Sequence, residues 1–226
     1  MSFDDGALFS CECSPPWLVA RFAATQRIVS WSLNRPGFAG ADTVAWLQVR
    51  NADLPVTVDP LRLLETRLAE RGLAGAVGLM TARAVRYHHV ETSSDGDLRV
   101  TAMVTLGLSN GVTTEALAGN APVANGSAIG TINLLVAISA PLDAGALLET
   151  IAIAATARTA ALLADDGRIV ATGTDCIAVA CPRGSSGAVF AGLHTPIGRL
   201  VAETVYRATR TARSVWEASV TPNASP

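Results

Sequence analysis

Residues 130–138 read GTINLLVAI, a short, nearly unbroken apolar run opened by Gly130. A run of this length is too short for a stable helix and fits a strand buried on both faces. Downstream, residues 143–164 are alanine-rich, with Leu147, Leu148, Ile151, Ala155 and Leu162 predicted to form the apolar face of a helix that can approach a sheet closely. Residues 169–180 then read as another strand. Strand, helix and strand in succession make one βαβ-like unit, and a unit of that kind implies a parallel pair.

Upstream the period changes to two. The stretches GAVGLMTARAVRYHHVE (75–91) and DLRVTAMVTLGL (97–108) flank an Asp95-Gly96 turn signal and predict a hairpin. A two-residue loop at Asp95-Gly96 puts His89, Tyr87 and Val85 beside Ala102, Val104 and Leu106 on a core face. It leaves Arg86 and His88 on the other face, beside Thr105 and Met103. In that register His88 is the functional candidate and His89 the core histidine; a slip of one residue exchanges the faces. Residues 17–33 predict two strands broken near Ala24-Thr25-Gln26, and Thr43 to Val49 a third. Asp59-Pro60 opens a helix carrying Leu61, Leu64 and Leu68 and stopped by Gly72. His194-Thr195-Pro196 opens the last helix, with Thr195 as N-cap, Ile197, Val201, Val205 and Ala208 facing inward, and Glu203 and Arg207 as a surface pair. The expectation is a single α+β domain over residues 1–226: mostly antiparallel mixed sheets built from hairpins, helices packed on the faces, and the one βαβ-like unit. The tail, 219–226, is expected to fray.

Composition narrows the function. The 226 residues carry 17 Lys+Arg against 19 Asp+Glu, a net charge of −2, so there is no basic footprint for nucleic acid. Half of the residues are hydrophobic and 16% charged, with a mean hydropathy of +0.35; such a chain often hides surface in a homo-oligomer or against an apolar ligand. The densest aliphatic run, 134–138, is too short to span a bilayer, and no secretory pattern opens the chain. The expectation is a cytoplasmic protein with no membrane partner. Cys11, Cys13, Cys176 and Cys181 form a C-x-C and a C-x4-C pair, unlike the paired C-x2-C of structural zinc, so no metal site is expected and the thiols read as unbridged.

Gly107-Leu108-Ser109-Asn110-Gly111 matches the G-x-S-x-G pattern of a nucleophile elbow, and the chain order Ser109, Asp175, His194 imitates a hydrolase triad. An elbow needs a strand that turns straight into a helix. The residues after Ser109 carry Gly119, Pro122, Asn125 and Gly126 and allow a single helical turn at most. No phosphate-loop pattern occurs.

Six ordered segments, GLMTAR (78–83), TLGLSNG (105–111), GTINLLVAI (130–138), TARTAALL (156–163), ATGTDCIAVACP (171–182) and GLHTPIGRLVAETVY (192–206), resemble the adenosylcobinamide amidohydrolase family. The resemblance implies hydrolysis of the amide joining the aminopropanol arm to the corrin ring, giving adenosylcobyric acid for cobalamin salvage. It implies a corrinoid as substrate and no cofactor. The chain departs from the family pattern at Thr156-Ala157-Arg158, where an acid and a lysine are usual, and at SWSLNRPGF (30–38), where Arg35-Pro36 replaces glycine.

Amide hydrolysis needs a nucleophile, a base, oxyanion donors and an acid for the leaving amine. Asp175, His194 and His88 form the candidate acid–base pool. Asp175 is equally an acceptor for turn amides, and His194 has the alternative of a surface hinge residue. Ser109, Asn110, Asn133, Thr174 and Thr195 are the candidate substrate contacts. All but Thr174 have a structural alternative: turn closure for Ser109 and Asn110, a satisfied buried network for Asn133, and a helix cap for Thr195. Cys176 reads first as a core residue. Two further readings stay open, a corrinoid-binding protein without hydrolytic activity and an unrelated serine hydrolase using Ser109.

Overall fold

The computed structural model describes residues 6–122 and 130–220. Its main element is an eight-stranded sheet made of β1 (Ser10–Ser14), β2 (Trp17–Ser30), β3 (Gly37–Gln48), β4 (Val77–Thr81), β5 (His89–Asp95), β6 (Leu98–Leu106), β8 (Ile132–Ile138) and β10 (Cys176–Pro182). The order is β4-β3-β2-β10-β8-β6-β5, with β1 beside β2. A second, two-stranded sheet pairs β7 (Gly111–Thr113) with β9 (Ile169–Thr172). The helices are α1 (Pro60–Glu70), the single turn α2 (Thr114–Leu117), α3 (Ala144–Leu163) and α4 (Pro196–Val220). The fold is α+β, a mixed sheet with helices on its faces.

The break expected near Ala24 is a bulge rather than a strand end. β2 pairs with β3 along its length, with a register shift between Arg21 and Gln26. On its other side β2 exchanges neighbours at that point, taking β1 from Trp17 to Arg21 and β10 from Gln26 to Ser30. The unpaired residues let one strand bend and serve two half-sheets. One half buries Leu18, Ala20, Val44 and Trp46 against Met103, Leu135, Ala178 and Ala180 of the other. On the outer faces, Leu64 and Leu68 of α1 cover Val19 and Leu47, while α3 and α4 cover β6, β8 and β10. Strands buried on both faces carry near-continuous apolar sequence, and every residue of β8 is buried.

GTINLLVAI is therefore the central strand, and β8, α3 and parallel β10 form the expected βαβ unit, with Cys176 opposite Asn133. A second unit, β3-α1-β4, was not foreseen; β4 lies parallel to β3. Residues 75–91 are not one strand. β4 ends at Thr81, a 3-10 turn spans Val85–Tyr87, and β5 starts at His89 on the opposite edge of the sheet. The hairpin loop is Gly96-Asp97, with Asp95 opposite Leu98 and His89 opposite Val104, one residue along each strand from the expected register. Gly96 supplies the positive φ of 58° that the turn requires. Likewise 169–180 is two strands, β9 and β10, because residues 173–175 turn between the sheets.

Asp59 caps α1, accepting from the amides of Leu61 and Arg62 at 2.9 and 3.4 Å, and Pro60 takes N1. Within α3 the buried residues include Ala146, Leu147, Ala154, Arg158 and Leu162, while Leu148, expected inside, is 52% exposed. Small side chains set how closely α3 meets the sheet, so the buried arc follows the alanines rather than the leucines. By length and composition α3 also qualifies as a bilayer span, although the 134–138 run does not; its inner face packs on the sheet. In α4, Val201, Val205 and Ala208 are buried as expected, Ile197 is half-buried, and Glu203 meets Arg207 at 3.0 Å. The helix runs through to Val220, past the expected start of the frayed tail at 219; residues 221–226 lie outside the described residues.

Asn133 joins the two halves of the folded sheet: its Nδ2 donates to the Met80 carbonyl at 2.7 Å, and the residue is 1% exposed. Removing one partner of a buried hydrogen bond costs about 1–3 kcal/mol. Asn133→Ala is expected to lower stability by that amount in urea unfolding, with the m-value unchanged.

Candidate active site

Parallel strands β8 and β10 start side by side, and their N-terminal ends carry a polar cluster. Thr131 and Thr174, each just ahead of its strand, bring their hydroxyls to 3.0 Å, and Thr174 also reaches the Gly130 carbonyl at 3.4 Å. Asp175 lies beneath them. Its Oδ1 accepts from the Ile132 amide at 2.9 Å and from the Thr172 hydroxyl; its Oδ2 accepts from the Thr172 amide at 3.0 Å and from Arg158 at 2.9 Å. The Arg158 and Asp175 side chains are 10% and 8% exposed. Burial pulls the Arg158 guanidinium below its usual value, against the opposing pull of Asp175. A carboxylate offers about four lone-pair sites, and four donors occupy those of Asp175. This geometry suits an orienting acceptor. The Asp175 carbonyl in turn accepts from the indole of Trp31 at 2.7 Å, leaving Trp31 47% exposed at the rim with Leu33 at 52%.

The Gly107–Gly111 segment forms the other wall. The Gly107 amide donates to the Thr131 carbonyl at 3.1 Å. A Cβ on Gly130 would stand 2.6 Å from both the Gly107 carbonyl oxygen and Asn110 Oδ1, so only glycine fits this approach. Ser109 is exposed, whereas Asn110 Oδ1 is buried with no hydrogen-bond partner among the described residues. After Ser109 the chain turns, the Gly111 amide donating to the Leu108 carbonyl at 3.0 Å, and enters β7 before the four-residue α2. That is not a strand-to-helix elbow. Residues 123–129 of the loop that follows lie outside the described residues.

Of the expected site residues, Asp175, Thr174, Ser109 and Asn110 come together at this end of the sheet. Asn133 begins β8 there too, but its side chain turns inward to Met80. His194 is exposed at the start of α4, its ring 6.4 Å from that of Phe190. His194 and Glu149 of α3 both flank Gly192. Glu149 precedes Arg158 by nine residues, roughly 14 Å of helix rise, so His194 and Asp175 lie toward opposite ends of α3. Thr195 caps α4, accepting from the Gly198 amide at 3.0 Å and donating to the Gly192 carbonyl at 2.8 Å. His88 sits between the 3-10 turn and β5, its Nδ1 2.8 Å from the Val85 carbonyl. The three members of the acid–base pool do not meet, and no Ser109–Asp175–His194 relay is formed among the described residues.

Arg158, Thr172 and Trp31 were missed from sequence. Arg158 had a visible signal, since α3 contains only two charged residues in twenty, and a lone cation on an apolar helix demands a partner. Trp31 had none.

The arrangement defines a class of α+β protein with hydroxyls and amides gathered over a buried arginine–carboxylate pair. Residues 3–221 match the family model for adenosylcobinamide amidohydrolase, and the chain belongs to that family. It is similar to the adenosylcobinamide amidohydrolase of Halobacterium salinarum (strain ATCC 700922 / JCM 11081 / NRC-1), 36% identical over 149 residues, which cover 64% of this chain and 62% of that protein. Two solved structures are also similar: the PH0078 protein from Pyrococcus horikoshii OT3 (12% identity, TM-score 0.45, covering 87% of this chain and 76% of that one) and a Burkholderia sp. beta-aminopeptidase (15%, 0.43, 92% and 83%).

Cys176, next to Asp175, is buried, and burial pushes its thiol up to about 12. It therefore holds its proton throughout the working range of an enzyme. Treating the native protein with iodoacetamide at pH 8 should label the exposed Cys11 and Cys13 and spare the buried Cys176 and Cys181.

Proposed function

We propose that this protein hydrolyses the amide linking the aminopropanol arm to the corrin ring of adenosylcobinamide. Water adds across the C–N bond, giving adenosylcobyric acid and free aminopropanol, in the cytoplasm, for salvage into cobalamin. The observation that carries the reading is the convergence of the family segments: TLGLSNG, GTINLLVAI and ATGTDCIAVACP join around one polar cluster, TARTAALL supplies the arginine beneath it, and GLMTAR is tied to GTINLLVAI through Met80.

The chemistry of the rim supports it. A corrinoid has apolar ring faces edged with amides, and the site offers exposed Trp31 and Leu33 beside Ser109, Asn110 and Thr174. We assign Ser109, Asn110 and Thr174 to substrate contact. Asp175 holds the 172–175 turn so that Thr174 faces the rim; a carboxylate with its acceptor sites filled orients neighbours better than it removes a proton. His88 and His194 stand apart from this cluster, which leaves at most a supporting role for either.

Incubation of the full chain with adenosylcobinamide, followed by mass spectrometry, is expected to show equimolar aminopropanol and adenosylcobyric acid. Ser109→Ala is expected to slow turnover by less than about tenfold, the loss of one substrate hydrogen bond, and His194→Ala to leave it unchanged. Tight binding without product would replace this reading with a non-hydrolytic corrinoid-binding protein. Complete loss in Ser109→Ala would restore the serine-hydrolase reading.

A further inference from the structure

Away from this site, Cys11 of β1, His88 before β5 and Met103 of β6 converge from distant parts of the chain. Cys11 Sγ lies 3.6 Å from His88 Nε2 and 3.8 Å from Met103 Sδ. His88 Nδ1 faces the Val85 carbonyl at 2.8 Å. A carbonyl can only accept, so in the neutral imidazole Nδ1 carries the proton and Nε2 turns its lone pair toward the sulfur. A backbone carbonyl on the second ring nitrogen is the usual device that orients a metal-binding histidine.

The separations fit an ion. At metal–sulfur and metal–nitrogen lengths of about 2.3 and 2.0–2.1 Å, a tetrahedral centre sets its ligands about 3.6 Å (S to N) and about 3.8 Å (S to S) apart. The two observed distances from Cys11 Sγ match these two edges. Met103 is fully buried and Cys11 exposed, so an ion would enter from solvent and rest on the thioether. A thiolate, a thioether and an imidazole form a soft donor set, which selects a Cu(I)-type ion over Mg²⁺ or Ca²⁺.

We propose that Cys11, His88 and Met103 form a binding site for a soft, thiophilic transition-metal ion of the Cu(I) class. The thiol loses its proton on binding, so each ion taken up releases one proton. The site does not rest on the proposed hydrolytic function. Cysteine spacing gave no hint of it, because its ligands come from three elements and one is methionine.

The test is an anaerobic titration of the full chain with Cu(I) against a chromophoric Cu(I) chelator. One equivalent per chain is expected, abolished in Cys11→Ser, weakened at least about tenfold in His88→Gln and in the volume-conserving Met103→Leu, and retained in Cys13→Ser. Thermal melts by circular dichroism confirm that each variant is folded. Failure to hold an equivalent against the chelator would overturn the site. So would undiminished binding in Cys11→Ser or His88→Gln, or a loss that follows Cys13 instead.

Discussion

The buried pair of Arg158 and Asp175 is the constraint on which the site end of this fold depends. Taking two charges out of water costs several kcal/mol each, and only good geometry with every remaining donor and acceptor satisfied offsets it. Asp175 meets its side of that demand by gathering the Ile132 amide at the start of β8, the amide and hydroxyl of Thr172 at the end of β9, and Arg158 from the C-terminal half of α3, while Arg158 Nε stays buried without a partner among the described residues. One carboxylate thus fixes the relative positions of a helix, a central strand and the turn between two sheets. Its backbone carbonyl extends the same bracing to Trp31.

What this bracing exposes is as informative as what it buries. Thr174, one residue before the carboxylate, is left exposed above the buried Thr131 that it meets, and the close approach at Gly130 draws in the Ser109-Asn110 turn. Departures from the family pattern find structural places. Arg35, where glycine is usual, donates to the Gly75 and Gly40 carbonyls at 2.5 and 3.3 Å and ties the loop after β2 to the approach to β4. Ala157 is 6% exposed in the core beside Arg158.

Much of this architecture was legible in the sequence, and its limits have physical causes. GTINLLVAI reads as a buried strand from its short, apolar run, and Asp59-Pro60 and Thr195-Pro196 mark helix starts because capping is a local interaction. Alternation of apolar residues over 75–91 reports which face each residue takes, not which neighbour a strand pairs with, so two strands on opposite edges read as one. The hairpin register missed by one residue along each strand because either Asp95-Gly96 or Gly96-Asp97 can form the loop. Asp175 was singled out correctly as a carboxylate in need of partners, but Arg158 lies 17 residues away and Trp31 lies 144 away; such contacts are set by tertiary packing alone. The grouping of Asp175 with His88 and His194 failed to assemble for the same reason.

A double-mutant cycle at Arg158 and Asp175, read by urea unfolding of the wild type, Arg158→Met, Asp175→Asn and the double variant, tests the bracing role most directly. Each single change leaves a buried polar group without its partner and should cost about 3–5 kcal/mol. The double variant should cost clearly less than the sum, with a coupling of about 2 kcal/mol or more. Additive losses within about 0.5 kcal/mol would show that the two residues act independently and would contradict the account.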